Sequence, residues 1–324
     1  MNAIVVNDDS PQRELLWRQV PDPYPGPDEV LVDISATAVN RADLLQRSGD
    51  YPPPADAPVY LGLEMAGTVA EIGTAVTGVR QGDRVCALLA GGGYAEQVAV
   101  HHRLLTPIPG KLSFHEAAAI PEVFYTAFVN LFLEANLAKG ETVLIHAGAS
   151  GVGTAAIQLA REQGCRVVAT AGSQEKLACC RRLGAELAVD YRDCDFAAAI
   201  LDHCDGADVI LDVAGGSHLA SNLEVLKLKG RLVIISLLGG AQATIDLGTV
   251  LRKRLRVVGS LLRSRPLQEK IDIVHQFRQR FWAQLERGTM APLIHAVLPV
   301  TEAEEAHRIL RDNENIGKVV LRVR

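Results

Sequence analysis

The chain has 324 residues, more than one ordinary hydrophobic core serves, so two domains are expected. Its composition, 48% hydrophobic and 22% charged with a net charge of −5, gives no electrostatic reason for nucleic acid or an anionic membrane as partner. The N-terminus, MNAIVVNDDSPQ, has no basic segment leading into an apolar run, and no apolar stretch reaches bilayer-spanning length, so neither a secretory signal nor a membrane span is expected.

Residues 1 to about 120 read as β-rich. Short apolar runs such as EVLVDISATAV (29–39) and MAGTVAEIG (65–73) are separated by turn chemistry: PDPYPGPDE (21–29), GVRQGDRV (78–85) and the glycines at 91–93. Irregularly spaced runs of this kind indicate a small barrel or sandwich. The six cysteines (Cys86, Cys165, Cys179, Cys180, Cys194 and Cys204) form no CxxC pair and read as reduced thiols of a cytoplasmic protein.

The pattern then changes. A single helix is expected around 115–135, after which strand-like and helix-like stretches alternate. The strands are TVLIH (142–146), RVVAT (166–170), LAVD (187–190), DVILDV (208–213), RLVIIS (231–236) and LRVVGS (255–260). Helical patterns such as 154–163 and 174–183 lie between them, the latter with Gly184 as its expected C-terminal cap. Strands apolar throughout belong to a parallel sheet covered by helices on both faces. An α/β, doubly wound domain with a six-stranded parallel sheet is therefore expected over 122–260. The connection 239–253 is its least helical element. The last residues hold two helical patterns (264–287 and 302–313) and short strands at 295–300 and 318–323, expected to fold back onto the first domain. The expected domains are thus 1–121 with 261–324, and 122–260.

The segment 141–160, ETVLIHAGASGVGTAAIQLA, carries the chemistry. A buried strand runs into a loop with Gly148, Gly151, Val152 and Gly153, then into a helix. Glycines let the backbone approach a pyrophosphate, and the N–H groups at the helix start face its charge. A dinucleotide is the expected ligand. An NAD-binding site normally carries an acid at the end of the second strand to bond the ribose 2′-OH. Gly172 and Ser173 stand there instead, Lys176 one turn later offers a cation, and Tyr191 after the third strand offers a hydroxyl. This favours NADPH, with two qualifications: Lys176 also reads as a solvated surface lysine, and Glu175 is an acid in the same turn.

At this point the sequence resembles the medium-chain dehydrogenase/reductase superfamily over essentially its whole length, and within it the zinc-independent, zeta-crystallin-like quinone oxidoreductases. The residues are AVNRADLLQRSGDYPPP (38–54), GLEMAGTVAEIG (62–73), GDRV (82–85), AAAIPEVFYTAF (117–128), the glycine loop and NIGKVVL (315–321). HAGASGVGTAAIQLA, TAGSQEKL, SLLRSR (260–265) and VTEAEEAH (300–307) point to the branch with a tumour-suppressor-inducible vertebrate member. The resemblance implies a GroES-like first domain, a Rossmann second domain, the nicotinamide in the cleft between them, and a homodimer pairing Rossmann sheets edge to edge. It further implies that Asn40 and Thr126 contact the nicotinamide or its ribose, that Leu262 lines its pocket and that Asn315 closes over it.

Zinc members of that superfamily carry a Cys in the first domain and a His in a G-H-E motif. Here those regions read AVNRAD and Gly62-Leu63-Glu64, and leucine offers no lone pair to zinc, so no metal is expected. Hydride transfer in a dry cleft then suits quinones, which delocalise the developing oxyanion. Tyr51 is a candidate catalytic residue through a hydrogen bond to that oxygen, or an aromatic packing a proline-rich loop. Ser150 is a second catalytic candidate, or simply the cap of the following helix. Two other functions stay open: reduction of the activated C=C bonds of enals and enones, and NADPH binding with little turnover.

Overall fold

The computed structural model describes residues 1–55 and 57–324. The chain divides into two compact units, Met1–Tyr125 with Arg263–Arg324, and Thr126–Leu262. The first is therefore assembled from both ends of the sequence.

It opens with the antiparallel pair β1 (Asn2–Val6) and β2 (Leu15–Gln19). There follow β3 (Glu29–Val39), α1 (Arg41–Ser48), β4 (Glu64–Ile72), β5 (Arg84–Leu88), β6 (Gln97–His101), β7 (Leu105–Pro107) and α2 (Phe114–Ala118). Strand β3 organises the sheet: β4 pairs along one edge, while β6 takes residues 29–33 of the other. Gly67 in β4 sits where a Cβ would lie 2.1 Å from the Asp33 carbonyl oxygen, so only glycine allows this close strand approach.

The single helix expected around 115–135 is three elements. After α2 the chain restarts at α3 (Pro121–Phe128) and widens into a π-helical turn, Val129–Glu134. Pro121 is the reason for the break: it disfavours helical dihedrals at Ile120 and has no N–H to continue the ladder.

The second unit runs β8 (Thr142–Ile145), α4 (Gly151–Glu162), β9 (Arg166–Ala171), α5 (Gln174–Leu183), β10 (Leu187–Asp190), α6 (Phe196–His203), β11 (Ala207–Asp212), α7 (Leu219–Val225), β12 (Leu226–Ile234), α8 (Leu247–Lys253) and β13 (Arg256–Gly259). The six strands are parallel, in the order β10-β9-β8-β11-β12-β13. The order reverses between β8 and β11, the switch point at which doubly wound sheets bind ligands. Val143, Leu144, Ile145, Val209, Ile210, Leu232 and Val233 are all fully buried, as expected of strands covered on both faces. The weak connection is real: α8 has no buried residue, and β13 is the sheet's edge, with Val257 exposed.

The chain then returns to the first unit through α9 (Leu267–Arg287), β14 (Ile294–Pro299), α10 (Ala303–Arg311) and β15 (Lys318–Arg322). Strand β15 pairs antiparallel with residues 36–39 of β3 and parallel with β14. The C-terminal segment thus completes the first sheet. Among the described residues no helix is long and apolar enough to cross a membrane.

Candidate active site

In the second unit the glycine loop leaves β8 through His146 and Ala147, the latter in the left-handed region at φ 49°. His146 is buried between Thr170 and Asn222, and burial lowers its imidazole pKa to about 4. Gly148 donates its N–H to the Thr170 carbonyl, and a Cβ there would lie 2.8 Å from both Ala169 and the Cys180 sulfur. At Gly153 a Cβ would lie 2.3 Å from the Ala147 carbonyl oxygen. These two glycines therefore seat the loop against the sheet. The half-buried Gly151 and Val152 form the first turn of α4, whose leading N–H groups have no partner within the helix. Ser150 caps that helix, its Oγ accepting from Gly153 N–H at 3.0 Å. The capping alternative for Ser150 is thus the one seen in the geometry.

A second group gathers at the ends of β9 and β10. Ser173 caps α5 by accepting from Lys176 N–H at 3.3 Å, Lys176 is half-buried, and Glu175 is exposed. Tyr191 lies just beyond β10, and its hydroxyl would be 3.0 Å from a Cβ on Gly172. Arg192 is closer still: its Nε would be 2.8 Å from that Cβ. Sequence reading missed Arg192. The available signal was its position one residue after Tyr191, in the same loop. Gly172 is thus the floor of a cradle whose walls are a hydroxyl and a guanidinium, and Asp190 accepts the backbone N–H of Arg192.

Thr126 is half-buried, its carbonyl accepting from Asn130 Nδ2, and Leu262 is buried at the other end of the unit's sequence range.

In the first unit Asn40 is not an open side chain. Its Nδ2 donates to Glu64 Oε1 at 2.9 Å and to the Ala38 carbonyl, and its Oδ1 accepts from Lys318 Nζ. Lys318 and Glu64 are 2.8 Å apart and fully buried. The second oxygen of Glu64 accepts the Glu122 N–H at 2.9 Å. Asp43, buried beneath, accepts from Asn40 N–H, Gly62 N–H and the Tyr94 hydroxyl, yet burial still pushes its carboxyl up to about 6. Asn315 is turned to its own loop, donating to the Gly317 carbonyl.

This network also tests the metal question. Leu63 is buried in the core, and both oxygens of Glu64 are engaged by protein donors, so the donor set does not fit zinc.

Tyr51 is half-buried with the Arg263 guanidinium carbon 5.3 Å from its ring centroid. Arg263 is 4% exposed; its Nε donates to the Ala90 carbonyl at 2.8 Å and its Nη2 to Gln46 Oε1 at 2.7 Å. Burial raises the Tyr51 hydroxyl pKa. Half-buried Glu122 is raised to about 8 by burial, with Glu64 and Asp43 adding to the effect and Lys318 and Arg263 opposing it.

Comparison with known proteins gives two family matches: residues 151–278 match the family described as zinc-binding dehydrogenase, and residues 26–110 the alcohol dehydrogenase GroES-like domain. The chain is 32% identical to quinone oxidoreductase-like protein 2 of Bos taurus, over 96% of this chain and 89% of that protein. The quinone oxidoreductase of Thermus thermophilus, solved also as its complex with NADPH, is 36% identical with a TM-score of 0.85 over the whole of both chains. The CurK enoyl reductase is 29% identical with a TM-score of 0.87, covering 99% of this chain and 98% of that one.

Proposed function

The chain belongs to the medium-chain dehydrogenase/reductase family, and from that premise we propose that it is an NADPH-dependent reductase of quinones that works without zinc. That it is an oxidoreductase with a nicotinamide cofactor follows from its quinone oxidoreductase relatives and the NADPH-bound structure among them.

The observation that carries the reading is the cradle at Gly172. Its walls, Tyr191 and Arg192, with Ser173 and Lys176 alongside, offer hydroxyls and cations where an NAD site offers a carboxylate. Such a set matches a 2′-phosphate, and Gly148, Gly151, Val152 and Gly153 with the start of α4 match a pyrophosphate. When bound, NADPH supplies a hydride from its nicotinamide. Tyr51 donates its hydroxyl hydrogen to the substrate oxygen, and burial keeps that hydroxyl protonated. Zinc independence rests on Leu63 and on the commitment of Glu64 to Lys318. Thr126, Leu262 and Asn315 keep the nicotinamide-side roles that resemblance assigns them. Asn40 fits only as a group that positions its neighbours, because both ends of its amide are engaged.

A homodimer through the exposed edge of β13 completes the proposal, since Val257, Leu247 and Leu251 are exposed beside that edge.

One observation favours a second reading. The enoyl reductase is as close in fold as the quinone reductase, so activated C=C bonds of enals and enones are the alternative substrate. The experiment is NADPH oxidation against a panel of benzoquinones, naphthoquinones, enals and enones. Turnover of quinones ahead of enones supports the proposal, the reverse order supports the alternative, and tight NADPH binding with no turnover overturns both.

A further inference from the structure

The Arg263 guanidinium is buried in the first unit, and its hydrogen bonding is incomplete. Nε and Nη2 are satisfied by the Ala90 carbonyl and by Gln46, whose own amide is held by the Val59 carbonyl. Nη1 is shielded from solvent and has no acceptor among the described residues. Nor does Arg263 form an ion pair with any described carboxylate. A buried N–H without an acceptor and a buried cation without an anion are each rare in folded proteins. Here they coincide on one side chain, which lies over the ring of Tyr51.

The surrounding charges do not resolve this. Lys318 cancels Glu64, Asp43 is held by three hydrogen-bond donors, and Glu122 is neutral up to about pH 8 because of burial. A guanidinium fixed by two bonds, set over an aromatic ring and left with one unpartnered nitrogen is preorganised to face an oxygen that carries or acquires negative charge.

We propose that the charge of Arg263, held over the ring of Tyr51, stabilises the substrate oxygen of this protein as an anion when that oxygen accepts from the Tyr51 hydroxyl. The substrate class is thereby narrowed to compounds whose reduction places charge on an oxygen: quinones, and enals or enones through their enolates. This rests on the reductase reading above and goes beyond it by naming the group that receives the charge.

The test uses 4-nitrophenol, whose phenolate absorbs visibly and mimics the anionic oxygen. Bound to the wild-type protein, it should ionise more readily than in buffer, with a phenolate-to-phenol ratio roughly tenfold higher at the same pH. Arg263→Gln, which keeps a side-chain amide in this space, should lose that enrichment. The same variant should oxidise NADPH with 1,4-benzoquinone at a kcat roughly tenfold lower, while its NADPH affinity, read by fluorescence, stays within about twofold. Nitrophenol that ionises as in buffer, or that fails to bind at millimolar concentration, overturns the proposal. So does a folded Arg263→Gln protein with unchanged kcat. If that variant does not fold, the wild-type titration decides alone. Should the wild type turn over no quinone, enal or enone, the reductase reading fails, while the nitrophenol result still judges Arg263.

Discussion

Lys318 of β15 and Glu64 of β4 form an ion pair of 2.8 Å in which neither side chain is more than 3% exposed. The two are joined through Asn40 and, by the Glu122 N–H, to the start of α3. Removing one partner leaves the other charge buried and unpaired. Glu64→Gln should therefore cost about 3–5 kcal/mol of stability, measured by urea unfolding. A cost below about 1 kcal/mol would mean the pair is solvated in solution.

Glu122 makes stability depend on pH in a stated direction. Its carboxyl ionises near 4.5 when exposed and near 8 in the fold, so the folded state holds the proton more tightly. The stabilisation from that proton is complete below pH 4.5 and is lost as pH rises toward 8. Of the charged groups that face it, Glu64 and Asp43 raise its pKa further, while Lys318 and Arg263 oppose the rise. The urea midpoint of the wild type should fall between about pH 5 and about pH 8.5, and that of Glu122→Gln should fall less. Parallel declines would show that another group causes the loss.

Tyr51→Phe should reduce kcat for a benzoquinone by roughly tenfold, about 1.4 kcal/mol, without weakening NADPH binding. An unchanged kcat removes the hydroxyl from the mechanism and leaves Tyr51 as a platform for Arg263.

Val257→Lys places a charge on the exposed edge strand β13. The wild type should sediment as a dimer and this variant as a monomer. Two identical sedimentation profiles would move the interface elsewhere or abolish it.

The second unit was legible in the sequence because its signals are local. Apolar strands such as 142–145 alternate with amphipathic helices, and Gly184 stops α5 with φ 119°, as a C-terminal cap requires. Gly148 and Gly153 announce the loop because their neighbours leave no room for a Cβ. The features that escaped sequence reading depend on distant residues. The amide of Asn40 looked available until Lys318, far along the chain, arrived in β15 to engage it. Arg192 reaches Gly172 only because β9 and β10 are neighbours in the sheet. The unpartnered nitrogen of Arg263 follows from which carbonyls and amides packing brings to it, and no spacing encodes that.

The central claim is the preference for NADPH, and its most direct measurement is the affinity of both dinucleotides for the wild type and for Arg192→Ala. NADPH should bind the wild type at least roughly tenfold more tightly than NADH, and Arg192→Ala should lose roughly tenfold for NADPH and almost nothing for NADH. Equal affinities in the wild type would contradict the reading of the Gly172 cradle as a 2′-phosphate site.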